Sequence, residues 1–258
     1  MTLSDRVSRP GGFTGAAVVA GVCGWPVKHS RSPRIHNYWL RQYGIDGVYV
    51  PFAMPLEGAK DAIRTLPALG IRGMNVTVPN KEEAYNAMDE VDRWAQRLKA
   101  VNTIVVRDGL LHGANTDAFG FLESLREAQP GWHADAGPVV VLGAGGAARA
   151  IVAGLQDEGA PEIRIANRTP ERAAAIRDEF GKPVRPILWE QRADALGDAA
   201  LLINTTSLGM EGQPALDIDL AELPATSVVY DIVYVPLETP LLVAARARGN
   251  SAIDGLGM

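Results

Sequence analysis

Lys81 is the residue with the most chemistry to offer. It follows "NVTVPN", residues 75–80, in which Asn75 and Thr77 alternate along a strand end and so face the same side. Lys81 then falls in the first turn of the next helix, the end at which the peptide dipole disfavours a cation. Glu82 and Glu83 can compensate it and leave an ordinary solvated lysine, or it is a proton donor at the carboxyl end of a strand. Asp117, in "GANTDAFG", is either the N-cap of the following helix or the partner that orients Lys81 and shares its proton. Asn102, in "VNTI", flanks the same predicted hairpin as Asp117. In "HSRSP", Ser30 and Ser32 stand at a helix start, where they are a simple cap or two hydroxyls beside a positive dipole end that would hold a carboxylate.

A second group lies in "VVVLGAGGAARAIVAGL", residues 139–155. Its "GAGGAA" fits the dinucleotide fingerprint at Gly143, Gly145 and Ala148: one glycine for the tight turn, one for close approach of a pyrophosphate, one small residue for helix–strand packing. The motif alone also fits a glycine turn that binds nothing; a strand before it, a helix after it and a further strand beyond favour the cofactor. An NAD site usually places a carboxylate about 20 residues on. "IRIANRTPERA" puts Asn167, Arg168 and Thr169 there instead, with Arg172 one turn later. No carboxylate repels a 2′-phosphate, and Arg168 can pair with one, which predicts NADP over NAD. Thr169 and Pro170 also read as a plain helix start. The loop in "LLINTTSLGM", residues 201–210, follows a strand and is placed to touch the cofactor.

Composition narrows the rest. The 258 residues are 47% hydrophobic and carry a net charge of −5 with dispersed Lys and Arg, which disfavours a nucleic-acid binder. The single Cys23 allows no intrachain disulfide, and its apolar neighbours suggest a core thiol in a reducing compartment. Arg6 and Arg9 before an apolar run loosely imitate a signal peptide, but Asp5 and "RPGG" interrupt it, and a buried first strand is the preferred reading. No membrane span is expected. His29, His36, His112 and His133 lack metal-ligand spacing, so no metal is expected, and no G-x-S-x-G elbow suggests a serine hydrolase.

The elements that must position these groups alternate strand and helix. After a loose tail over residues 1–13, strands are expected at 16–22, in "GVYVPFAM" and in "GMNVTVP", with helices between and a capping-box pair at Asn80 and Glu83. "AVNTIVVRDGLLHGANTD" predicts a hairpin turning at Asp108-Gly109. Strands near 139–142, 163–166, 200–204 and 228–231 with helices between them imply parallel βαβ units. The expectation is an α/β protein of two domains: a substrate domain over residues 1–116, completed by 239–258, and a doubly wound Rossmann-like dinucleotide domain over 117–238.

Taken in order, "HSRSP", "NVTVPNK", "AVNTI", "NTDAFG", "GAGGAARA", "NRT", "NTTSLGM", "YDIVY" with "TPLL", and "DGLGM" resemble the shikimate dehydrogenase family over nearly the whole chain after about Ala16. The resemblance implies NADP-dependent interconversion of 3-dehydroshikimate and shikimate in aromatic amino-acid biosynthesis, in a cleft between two domains. It implies that Ser30, Ser32 and Tyr234 hold the substrate carboxylate, and that Asn75, Thr77, Asn102 and Asp117 bind ring hydroxyls. Lys81 would be the general acid/base with Asp117 as its partner. Gly143, Ala144, Gly145, Gly146, Ala147, Asn167, Arg168, Thr169 and Arg172 would hold the cofactor's phosphates and ribose, and Ile232 and Gly255 would lie near the nicotinamide. A cytoplasmic monomer or homodimer is implied, with a small-molecule substrate and neither nucleic acid nor membrane as partner. In the family "GLGM" continues into a helix whose glutamine contacts substrate; here the sequence stops at Met258, so either it is incomplete or that contact is lost. Quinate or an amino analogue of shikimate is the nearest alternative substrate. A folate-linked dehydrogenase is disfavoured by "NVTVPNK", and a non-catalytic NADP-binding module by Lys81 with Asp117.

Overall fold

The computed structural model describes residues 12–258, so most of the expected tail, with Arg6 and Arg9, lies outside the described residues. Two compact units emerge, Met1–Thr116 and Asp117–Met258.

The first unit is built on a six-stranded mixed sheet. Its elements are β1 (Val18–Gly24), α1 (Ser32–Gln42), β2 (Gly47–Ala53), α2 (Ala59–Arg64), β3 (Ile71–Val76), α3 (Lys81–Ala87), β4 (Glu90–Val91), α4 (Arg93–Leu98), β5 (Thr103–Arg107) and β6 (Leu110–Ala114). Strand order is β2-β1-β3-β5-β6-β4, with β1 parallel to both β2 and β3 and the β5–β6 hairpin antiparallel. Asp108 and Gly109 both take positive φ, 54° and 79°, at the hairpin turn, as a type I′ turn requires. Cys23, Ile63, Met74, Val76, Ala84 and Ile104 pack in one core; burying each large aliphatic group contributes about 1.5–3 kcal/mol.

The second unit holds α5 (Asp117–Ala128), β7 (Val139–Leu142), α6 (Gly146–Asp157), β8 (Ile163–Ala166), α7 (Pro170–Phe180), β9 (Val184–Ile187), β10 (Leu201–Asn204), β11 (Val228–Asp231), α8 (Pro240–Ala247) and β12 (Ser251–Ile253). Its strands are all parallel, in the order β12-β11-β10-β7-β8-β9. The order reverses between β7 and β10, the switch point at which a doubly wound sheet opens a ligand crevice. The central strands β7 and β10 read as apolar runs, VVVL and LLIN before the final asparagine, because both faces are covered. Val139, Val141, Leu201 and Ile203 face one core with α5 and α6; Val140, Leu142, Leu202 and Val229 face the other with α8.

Three local expectations change. Residues 239–258, expected to complete the substrate domain, group with the second unit: β12 pairs in parallel with β11, and Leu241, Leu242 and Ala245 of α8 join a core of that sheet. The short apolar "SAI" was too brief to read as a strand, yet it completes the sheet's edge. Asn80 forms no side-chain cap on α3; its amide turns inward and donates to the Met54 carbonyl at 2.8 Å. Ser32 lies inside α1, whose N-cap is Arg31.

Candidate active site

In the first unit the expected substrate residues gather at the carboxyl ends of β1 and β3. Ser30 follows β1, and its hydroxyl accepts from the Ser32 N–H at 3.3 Å. Thr77 continues from β3, with its N–H bonded to the Cys23 carbonyl at 2.9 Å. Asn75 Oδ1 accepts from the Tyr49 hydroxyl at 2.7 Å, while Asn75 Nδ2 faces Thr103 Oγ1 at 3.3 Å. Asn102 Oδ1 accepts from the Thr116 N–H at 3.1 Å and from Thr103 Oγ1 at 3.0 Å. Lys81 opens α3, and its carbonyl accepts from the Val101 N–H at 2.9 Å, which sets its backbone beside Asn102. Ser30, Ser32, Asn75, Thr77, Lys81 and Asn102 are all partly exposed, as ligand-binding groups must be.

Tyr49 was not singled out from the sequence. It is buried on β2, stacks on His36 at 4.1 Å, and also engages Ser32 with its hydroxyl. Burial raises its pKa above the ordinary phenol value, so it stays a neutral donor. A tyrosine in the strand "GVYVPFA" carries no local signal of this role. The neighbouring Cys23 thiol is pushed up to about 12 by burial, which fits the inert core thiol expected of it.

In the second unit, β7 ends at Leu142 and the chain turns through Gly143 at φ +105°. A Cβ there would meet Thr205 Oγ1 at 2.5 Å, so the position demands glycine. Gly145 and Gly146 are different: a Cβ on either would meet nothing within 4 Å, so their backbone faces open space. No side chain caps the N-terminus of α6 and no acidic residue stands in its first turn. Ala144 and Ala147 are half-buried beside them, and Ala148 is fully buried against the core. An open glycine backbone at an uncapped helix N-terminus fits a pyrophosphate. After β8, Asn167 Nδ2 donates to the Thr169 carbonyl at 2.8 Å, and Arg168 and Arg172 are exposed. Thr169 is the N-cap of α7 but makes no side-chain cap bond. These residues fit a 2′-phosphorylated dinucleotide.

The remaining expected residues follow β11 and β12. Ile232 N–H donates to the Asn204 carbonyl at 3.1 Å, and Gly255 N–H to the Val233 carbonyl at 3.1 Å. A Cβ on Gly255 would collide with the Ile232 backbone, so these two residues lie against each other. Tyr234 is exposed just beyond. Asp117, expected to serve the substrate, is the first residue of α5 in the second unit. Sequence reasoning also missed Asn204, Asp231 and Thr239, all fully buried at the ends of β10 and β11 and the start of α8. The signal for Asp231 was present: a carboxylate ending the apolar run "SVVY". Among the described residues, no group of three or more His, Cys, Asp or Glu is arranged to hold a metal ion.

Known proteins resemble this chain over nearly its whole length. A family model described as the shikimate dehydrogenase substrate binding domain matches residues 22–104, and one described as shikimate / quinate 5-dehydrogenase matches residues 127–211. Shikimate dehydrogenase (NADP(+)) of Paramagnetospirillum magneticum is 58% identical over 247 residues, covering 95% of this chain and 90% of that one. The Thermus thermophilus shikimate 5-dehydrogenase, solved with NADP(H) and shikimate, is 39% identical with a TM-score of 0.82, over 93% of this chain and 88% of that one. Quinate dehydrogenase of Corynebacterium glutamicum, solved with NAD, is 31% identical with a TM-score of 0.85, over 93% of this chain and 88% of that one. With its two family matches in order and a relative this similar over nearly its whole length, the chain belongs to the shikimate dehydrogenase family.

Proposed function

We propose that this chain catalyses the reversible, NADP-dependent reduction of 3-dehydroshikimate to shikimate in aromatic amino-acid biosynthesis. One observation carries the substrate half of this reading: polar groups of Ser32, Asn75, Asn102 and the Lys81 turn collect at adjacent strand ends of the first sheet. Names of relatives 58% and 55% identical to this chain support the reaction and the cofactor. Bound NADPH supplies the hydride that reduces the ketone.

The chain's own residues do the rest. Ser30, Ser32 and Tyr234 take the substrate carboxylate with hydroxyl donors instead of an arginine clamp. Asn75, Thr77, Asn102 and Asp117 hold the ring hydroxyls and so orient the carbonyl. Lys81 gives a proton from its Nζ to the oxygen as negative charge develops there, and takes it back in the oxidative direction, with Asp117 orienting the ammonium. The open backbone of Gly143, Ala144, Gly145, Gly146 and Ala147 receives the pyrophosphate. Asn167, Arg168, Thr169 and Arg172 receive the ribose and its 2′-phosphate, and Ile232 and Gly255 border the nicotinamide. Residues 1–116 supply most of the substrate side, and the second unit supplies the cofactor side together with Asp117 and Tyr234. The enzyme works in the cytoplasm as a monomer or homodimer on a small molecule, without nucleic acid or membrane. Its free, buried Cys23 supports a reducing compartment, and no described helix is long and apolar enough to cross a membrane.

Side-by-side rates with shikimate and quinate, each with NADP+ and NAD+, test this. The expected result is highest kcat/KM for shikimate with NADP+. Higher efficiency with quinate and NAD+ would move the chain to the quinate branch of the family.

A further inference from the structure

Asp231 is a carboxylate in the interior of the second unit, with no exposed surface. Its hydrogen bonds come from neutral donors: Asn204 Nδ2 at 2.9 Å, the Val233 N–H at 3.1 Å and the Thr239 hydroxyl at 2.7 Å. Burial raises its pKa above the usual carboxylate range, opposed by these three bonds. Burying such a group without a cation is costly, and a fold that needed only packing would place an apolar residue here.

The three donors belong to three different segments. Asn204 ends β10 and also binds the Leu208 carbonyl at 3.1 Å and the Thr206 N–H at 3.0 Å, fixing the loop after that strand. Val233 lies between Ile232 and Tyr234, and its carbonyl accepts from the Gly255 N–H at 3.1 Å. Thr239 is the N-cap of α8, with Oγ1 accepting from the Leu242 N–H at 3.4 Å. Its methyl and Cβ would also lie against a Cβ placed on Gly209, at 3.6 and 3.5 Å. One carboxylate thus joins the end of β10, the loop after β11 and the start of α8, and through the Val233 carbonyl it reaches Gly255 in the segment after β12, at the end of the sheet where a doubly wound fold binds its ligand.

We propose that Asp231, gripped by Thr239 and Asn204, is the positioning residue for the nicotinamide end of the cofactor site. It acts through Val233, whose neighbour Ile232 and whose partner Gly255 form the border of that end. The proposal rests on the reading of Ile232 and Gly255 as nicotinamide neighbours. The adenosine end depends instead on the 143–147 and 167–172 loops, which bond neither to Asp231 nor to Thr239 in the contacts described above.

The test separates the two ends. Thr239→Val keeps the branched shape and removes the hydroxyl, Thr239→Ser keeps the hydroxyl, and Asp231→Asn keeps the size and removes the second acceptor. Affinities for NADP+ and for adenosine 2′,5′-bisphosphate, which lacks the nicotinamide, are measured by calorimetry on the full chain, alongside kcat and the KM for NADP+. For Thr239→Val and Asp231→Asn we expect kcat to fall about tenfold, weaker NADP+ binding, and adenosine 2′,5′-bisphosphate affinity within about twofold of the parent. Thr239→Ser should restore both NADP+ affinity and kcat. Parallel loss of both ligands would overturn the proposal and leave the network a purely structural one, and so would unchanged kinetics in Thr239→Val. If Thr239→Val does not fold, Asp231→Asn and the ratio of the two affinities still decide. An inactive parent would count against the proposed reaction, whereas the affinity ratio would still decide the positioning.

Discussion

The Tyr49 hydroxyl donates to Asn75 Oδ1 at 2.7 Å and, together with the Nδ2 contacts to Thr103 Oγ1 at 3.3 Å and the Asn102 carbonyl at 3.5 Å, fixes the orientation of that amide. Replacing it with phenylalanine keeps the ring stacked on His36 and frees the amide to turn. Loss of one such bond is worth about 1 kcal/mol, so Tyr49→Phe should raise the KM for shikimate about fivefold and leave the KM for NADP+ unchanged. Equal shikimate KM values for parent and variant would deny Tyr49 any part in holding Asn75. On the cofactor side, Arg168 is exposed at the end of β8, where no carboxylate stands. A charge-assisted bond to a 2′-phosphate contributes about 1.5–3 kcal/mol. Arg168→Ala should therefore cut the preference for NADP+ over NAD+ by about 10- to 100-fold, read as the ratio of kcat/KM values. A ratio that does not change would place the 2′-phosphate elsewhere. Residues such as Lys81 and Arg168 could be singled out as candidates from the sequence because their types are odd for their positions. Tyr49 and Thr239 were not, because their roles come from partners 26 and 8 residues away that only the folded strands bring close.

Among elements, the β7–Gly143–α6 unit could be read outright, since its glycines, apolar strand and small-residue helix all point to one geometry. Its strain can be tested. Gly143→Ala forces a Cβ into φ +105° and against Thr205 Oγ1, which should cost at least about 1–3 kcal/mol. Thermal melting should fall by several degrees, with weaker NADP+ binding; an unchanged melt would contradict the contact described. Strand β8 carries the opposite kind of feature, Arg164, which bonds Glu162 at 2.8 Å, the Ala195 carbonyl at 2.8 Å and Asp198. Arg164 holds both the Glu162 and Asp198 carboxyls below their usual range. Depressed carboxylates stabilise the fold above their unfolded pKa, and that contribution is lost as pH falls through the lower folded pKa. Asp198 is 64% exposed and heavily screened, so Glu162, at 28%, should dominate. Melting should therefore drop below about pH 5, and Arg164→Leu should flatten that acid limb while lowering the melt at neutral pH. An acid limb as steep in the variant as in the parent would remove Arg164 from this role. The capping box at Asn80 failed as an expectation because the buried Met54 carbonyl competes for the same amide, a demand invisible along the chain.

For the whole molecule, strand–helix alternation was enough to separate two α/β units, and the structure divides them between Thr116 and Asp117. The fate of residues 239–258 was not legible, because three residues of β12 carry too little pattern and gain their place only by pairing with β11. What unites the two units is one proposed reaction, with the proton-donating Lys81 in the first and its partner Asp117 and the dinucleotide residues in the second. The most direct measurement follows NADPH formation from shikimate and NADP+ by the parent chain and by Lys81→Ala, with shikimate affinity measured separately. The account predicts turnover by the parent, a loss of about 10²- to 10⁴-fold in kcat for the variant, and near-parental shikimate binding. A variant that keeps parental kcat, or a parent that binds both ligands without turnover, would contradict it.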